Sequence, residues 1–166
     1  MAQLNYTYQT QLGVAGGLLD VSPYSVNSRT FSPNEEDETR SLKFGTGVVV
    51  GASPGTTVTA PRSDTTASDF EGLVLTGFTT EHNLTGDLKL HPGATVGVLR
   101  FGKAWARLEP DIEPKYGDRV YLIKEGEFVG CFTNLEDGNL PLAAQFVGNE
   151  GLVAAAGSIA PIEIFN

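Results

Sequence analysis

The sequence predicts an all-β protein: a small antiparallel β-barrel or sandwich with an extended N-terminal arm. Three observations predict it. From Lys43 onward, short β-branched and apolar runs are broken by Gly, Pro, Asn and Asp every several residues, the spacing of a barrel or sandwich rather than of βαβ units. The chain holds 20 glycines and 9 prolines in 166 residues, above the usual combined share of about 12%, and each costs helix stability. At the front, Leu4, Tyr6 and Tyr8 alternate with Asn5, Thr7 and Gln9, which is strand periodicity with one apolar face.

Taken in order, residues 1–42 read as the arm. Gly13, Gly16 and Gly17 interrupt the first extended piece before a second apolar patch at Leu18, Leu19 and Val21. Extended pieces joined by glycine and proline bury little of their own aromatic surface, so the segment reads as one that docks elsewhere, through Leu4, Tyr6, Tyr8, Leu12, Leu18, Leu19, Val21 and Tyr24. A first strand of the same domain is the alternative. In FSPNEEDETRSL, Ser32 with Glu35 fits a capping box and Pro33 the first helical position, giving one or two turns through Arg40. The acids Glu35, Glu36, Asp37 and Glu38 then suit the positive end of the helix dipole. A calcium loop would need a turn glycine among them, and none is present.

Residues 43–166 read as the β-rich domain. KFGTGVVVG, TTVTAPR and FEGLVLTGF are three strand runs, and LTGDLKL around Gly86 and Asp87 looks like a tight reversal. In TVGVLRFGKAWARLE, Val96, Val98 and Arg100 share one face while Leu99 and Phe101 share the other. Gly102 is expected to turn the chain there, so that the two halves pair as a hairpin. A second hairpin is expected in RVYLIKEGEFVGCF, turning at Glu125 and Gly126, and LAAQFVG with GLVAAAGSIAPIEIF supplies the closing strands. The expected core includes Val96, Val98, Trp105, Val120 and Leu122.

The formal net charge of −9 repels a phosphate backbone, so no nucleic acid is expected as partner. Runs such as GVVVG fall far below the ~20 apolar residues of a membrane span, and MAQLNYTYQTQ lacks the features of a signal peptide, so neither membrane insertion nor export by that route is expected. One cysteine, Cys131, leaves no internal disulfide and no thiolate metal site.

Chemistry finds few candidates. His82 and His91 flank the expected reversal, but two histidines make an incomplete zinc site. No nucleophile elbow is present: GASPG belongs to a turn, and the GASPGTT stretch lacks the lysine of a phosphate loop. Cys131 sits in a strand-like run as a small hydrophobe. Asn5 and Asn83 match the glycosylation pattern, which has no consequence without secretion. Trp105 and Arg107 form either an aromatic–cation patch or, more often for such a pair, a core aromatic with a charged flank. No enzyme activity, cofactor or metal is expected.

The stretch HPGATVGVLRFGKAWARLEPDIEPKYGDRVYLIKEGEFVG resembles the capsid cement, or decoration, proteins of tailed bacteriophages. The resemblance rests on Pro92 and Gly93 before the valines Val96 and Val98, on Gly102, on Trp105, and on the Gly117-Asp118-Arg119-Val120-Tyr121 step. FEGLVLTGF and AQFVGNEGLVAAAGSIAPIEI look like further strands of that family. The likeness covers roughly Lys43 to the end, and the acids Glu35 to Glu38 have no counterpart in it. It implies a non-enzymatic virion protein on the outside of the head, made in the host cytoplasm, bridging major-capsid subunits and often trimeric. The competing readings are a head-fibre base or tail component, a small sugar-binding or hydrolytic β domain using Trp105 and the two histidines, and a free-standing SH3- or OB-like interaction module.

Overall fold

The computed structural model describes residues 13–33, 42–77, 90–148 and 159–165. Among the described residues the regular elements are nine strands and one 3-10 turn at Ala67–Asp69: β1 Ser25–Phe31, β2 Gly47–Val50, β3 Thr57–Thr59, β4 Phe70–Val74, β5 Thr95–Arg107, β6 Arg119–Leu122, β7 Phe132–Thr133, β8 Leu140–Phe146 and β9 Ile159–Phe165. The all-β expectation therefore holds.

The strands run β1-β3-β2-β4-β5-β9-β8-β6-β7, and β1 also pairs with β5, which closes β1, β3, β2, β4 and β5 into a five-strand barrel. Closure removes strand edges that would otherwise invite pairing with other chains. The remaining strands curl away from the far half of β5. There β9 pairs with Phe101–Arg107, and the last strand returns through a Leu108↔Phe132 bridge. Thus β5 serves two rings in succession: Thr95–Phe101 pairs with β1, and Phe101–Arg107 with β9.

This overturns the hairpin expected at Gly102. The glycine does take a positive φ of 119°, but the chain continues as one 13-residue strand. Its freedom serves a crossing instead of a turn. Residues 16–19 lie along one edge of β5, where Gly16 N–H donates to the Trp105 carbonyl (2.8 Å), Trp105 N–H to that of Gly17 (2.9 Å) and Leu19 N–H to that of Lys103 (3.0 Å). Thr76, just past β4, donates to Gly16 (2.8 Å), so this edge is the β4 side, whereas β1 pairs on the opposite side. The chain from Asp20 to Tyr24 must pass over β5 between them. It does so at Gly102, where a Cβ would stand 2.7 Å from Tyr24 Cβ and 3.3 Å from the Pro23 carbonyl oxygen. Only glycine permits so close an approach of two backbones.

Part of the segment expected as an arm, residues 1–42, lies in the barrel. Within residues 1–42, Ser25–Phe31 is a strand of the barrel, pairing in parallel with β3 and antiparallel with β5. Residues 13–19 form a strap on β5. Of the expected arm, the stretch before Gly13, with Leu4, Tyr6, Tyr8 and Leu12, lies outside the described residues, as do the acids Glu35 to Glu38, His82 and the reversal at Gly86. The second hairpin is present: Tyr121 and Leu122 pair with Thr133 and Phe132, and Gly126 holds a positive φ in the loop.

Two apolar clusters fill the rings. One gathers Phe31, Val48, Val58, Val74, Val96 and Val98 inside the closed barrel. The other gathers Ala104, Ala106, Val120, Leu122, Phe132 and Ile162 of the second ring, together with Val49, Phe70, Leu73 and Leu99 from the first. Val49 and Leu73 sit next in sequence to Val48 and Val74, so strand alternation sends each pair to opposite faces. The barrel is thereby apolar on both sides of β2 and β4, and its outer face fuses the two rings. Val98, Val120 and Leu122 are fully buried and Val96 nearly so; each large apolar side chain buried in this way contributes about 1.5–3 kcal/mol. Trp105, 7% exposed, is roofed by the strap: a Cβ on Gly13 would fall within its indole ring.

Candidate interaction surface

Strand pairing builds an exposed apolar surface where the two rings meet. Phe101 stands opposite Phe165 across β5 and β9 and opposite Ser25 on the β1 side; Val26 stands opposite Leu99. Directly opposed residues project from the same face, so Phe101 and Phe165 stand together; Tyr24 comes close where the chain crosses Gly102, and Val26 follows across the register shift between Ser25 and Val26. All four are exposed by 38% or more. Val21, in the crossing connector, is 99% exposed, and Val14 and Leu18 of the strap stand outward as well.

Charge borders this surface. Lys103 Nζ lies 3.4 Å from an Asp20 carboxylate oxygen and stands opposite Glu163 on β9. Asp20 accepts hydrogen bonds from the Ser22 hydroxyl and from its backbone N–H, which hold its carboxyl below the usual carboxylate range. The connector is thus pinned by a short polar turn while its apolar side chains face out. A smaller apolar pair, Tyr116 and Leu135, stands on two loops that Asn134 and Asp118 join by a 3.2 Å hydrogen bond.

Of the expected interface residues that the structure describes, Leu18, Val21 and Tyr24 are exposed and Leu19 is half-buried. Sequence reasoning did not single out Val26, Phe101 and Phe165 as exposed apolar residues. Phe101 carried a signal, since it shares a face with Leu99 in the alternation, but a hairpin reading gave that face no neighbour from β9.

A cavity of about 330 Å³ opens where the β6–β7 loop meets the mouth of the closed barrel, lined among others by Phe31, Leu42, Lys43, Phe128 and Cys131. Burial pushes the Cys131 thiol up, so it is a poor nucleophile there. His91 is exposed in a loop. Among the described residues, no three His, Cys, Asp or Glu side chains converge on a point that could hold a metal ion.

One partly buried ion pair braces the closed barrel. Val48 pairs with Gly72 and Val49 with Phe70, leaving Glu71 unopposed at a bulge. Bulges re-aim a side chain, and here Glu71 meets Arg29 of β1, with Nη2 at 2.6 Å and Nε at 2.8 Å from Oε1.

Comparison with known proteins places this architecture. A chain of the capsid of Myoviridae phage XM1 has a similar fold, with a TM-score of 0.68 and 20% sequence identity over 99% of this chain and 98% of that one. No curated protein matches. The family model described as structural cement protein (E217 gp24/Pam3 gp6) matches residues 2–165, almost the whole length, including the strap, the crossing and both rings. This chain therefore belongs to the phage structural cement proteins, and its role is a structural one in the capsid.

Proposed function

We propose that this protein acts without catalysis on the outside of a bacteriophage head, where it ties neighbouring major-capsid subunits together as a homo-oligomer, with a trimer favoured. Membership of the cement family supports the class of role, and the observation that carries the finer reading is the exposed surface of Tyr24, Val26, Phe101 and Phe165 beside the strap. In this reading the residues ahead of the strap extend the contact, with Leu4, Tyr6, Tyr8 and Leu12 covering apolar surface on the capsid. Each large side chain so buried contributes roughly 1.5–3 kcal/mol before ordering costs. Repetition over a symmetric shell turns modest sites into firm attachment.

The test is a mixing experiment with empty heads, read by sedimentation and electron microscopy. The full chain is expected on the outer surface. A variant lacking residues 1–12 keeps its thermal melt but loses occupancy, and Tyr24→Ser with Phe101→Ser weakens it. A longer truncation is unsuitable, because it removes the strap and β1. Unchanged occupancy in all these variants overturns the proposed surface, and failure of the full chain to bind heads overturns the function.

A further inference from the structure

We propose that the outer edge of β1 at residues 25–28 is a strand-addition site, where an extended segment of the major capsid protein pairs with this chain through its backbone. Barrel closure stops halfway along β1. On the β5 side the strand is paired from Ser25, opposite Phe101, to Thr30, opposite Thr95. On the other side β3 reaches only Thr30 and Phe31. Ahead of Thr57 the chain leaves β1 in the β2–β3 turn, where Thr56 N–H and Thr57 N–H both donate to the Ser53 carbonyl (3.1 and 2.9 Å).

Strand alternation decides which backbone groups stay open. Phe31 N–H points toward β5 and donates to the Ala94 carbonyl, whereas Thr30 N–H points away from it and donates to the Thr56 carbonyl, both at 2.9 Å. Groups two residues apart on a strand face the same way, so the N–H and carbonyl of Ser28 and of Val26 face outward with those of Thr30. The Ser28 carbonyl accepts a hydrogen bond from Arg29 Nη1 (3.1 Å). Among the described residues, nothing bonds the Ser28 N–H or either outward group of Val26, and Ser25, Val26 and Ser28 are exposed. Two donors and an acceptor in a row, repeating every second residue, form the pattern that an extended chain completes.

Exposed edges are ordinarily guarded by charge, by proline or by a covering segment. Residues 25–28 carry neither charge nor proline, and the adjoining turn, residues 51–57, carries no charge either, in a chain of net charge −9. The edge also selects what it pairs with. Val26 shares a face with Leu99, and a Cβ on Gly97 would lie 3.4 Å from Val26 Cγ1 and 3.9 Å from Leu75 Cβ. An apolar residue therefore suits the place beside Val26, and a polar one the place beside Asn27 on the opposite face, which makes the added segment an alternating one. Val26 and nearby Tyr24 belong to the surface assigned above to capsid contact, so the occupant is a capsid segment and the inference rests on that reading.

The experiment compares two variants of the full chain on empty heads. Ser28→Pro removes the outward N–H and spares the β1–β5 pairing, since proline is accepted on an edge strand where its N–H faced solvent; Ser28→Ala keeps the N–H. Both keep the thermal melt of the parent. In sedimentation Ser28→Ala matches the parent, and Ser28→Pro binds about tenfold more weakly, the effect of losing a backbone hydrogen bond at a closed edge. Hydrogen exchange on the unsubstituted chain, resolved to single residues, is the second measurement: the Val26 and Ser28 amides exchange fast in the free protein and become protected on heads. Equal binding of the two variants overturns the proposal, and so do Val26 and Ser28 amides that stay fast on heads. Where Ser28→Pro lowers the melt, the exchange measurement decides. If the full chain does not bind heads, the cement reading fails and strand addition with it. If Tyr24→Ser with Phe101→Ser weakens binding while Ser28→Pro does not, the contact surface stands and strand addition alone is removed.

Discussion

Tyr24 occupies the space that a side chain on Gly102 would need: a Cβ there would stand 2.7 Å from Tyr24 Cβ and 3.2 Å from Tyr24 Cα. Two segments far apart in sequence cross at this point, and the crossing lets one strand serve two rings. Gly102→Ala adds a methyl group against backbone at a φ of 119°. Strain and overpacking together cost about 2–5 kcal/mol. Urea unfolding should report a lower midpoint, and a midpoint equal to that of the parent would show that the crossing yields freely.

Gly13→Ala should unseat the strap without unfolding the rings. The new methyl group competes with the indole of Trp105, which is held in a packed site. The sole tryptophan is a direct reporter, so its emission shifts to the red and proteolysis near residues 13–19 accelerates. Trp105→Ala, by contrast, removes a large buried aromatic and costs about 3–5 kcal/mol. An unshifted emission maximum in Gly13→Ala contradicts the roofing contact.

Arg29→Ala leaves Glu71 in a largely buried position without its cation. The side chains are 15% and 8% exposed, so water screens the loss only in part, and about 2–3 kcal/mol of stability should disappear. A double-mutant cycle with Glu71→Gln isolates the pairing, and a coupling near zero refutes the brace.

Cys131 should resist alkylation at neutral pH in the folded protein, because burial raises its thiol above the ordinary value of about 8.5. The sign of the linked effect follows. The unfolded chain loses this proton first, so stability contributed by the neutral thiol is present below about pH 8.5 and declines as pH rises beyond it. Cys131→Ser should lack that component of the alkaline decline when the two melts are compared across pH 7–10. Rapid modification of native protein by iodoacetamide places the thiol at the surface instead.

The legible part of the fold came from local rules. β-Branched and apolar runs broken by turn residues marked β2, β3 and β4, and the Lys124–Val129 loop with Gly126 marked the β6–β7 hairpin, because such runs and positive-φ glycines are properties of a few consecutive residues. The exposed apolar surface was half legible: Leu18, Val21 and Tyr24 stood out as apolar residues in a segment poor in its own core, while Phe165 did not, since its exposure depends on which strand lies beside it.

By itself, the sequence determined the strand content, the apolar faces of β5, the burial of its valines and the need for a glycine at position 102. Tertiary structure alone decided what that glycine is for. A positive φ is compatible with a reversal and with a close crossing of chains, and the two differ only in what approaches from elsewhere. That visitor was Tyr24, brought by β1 and the strap through long-range backbone pairing, which no local run of residues encodes.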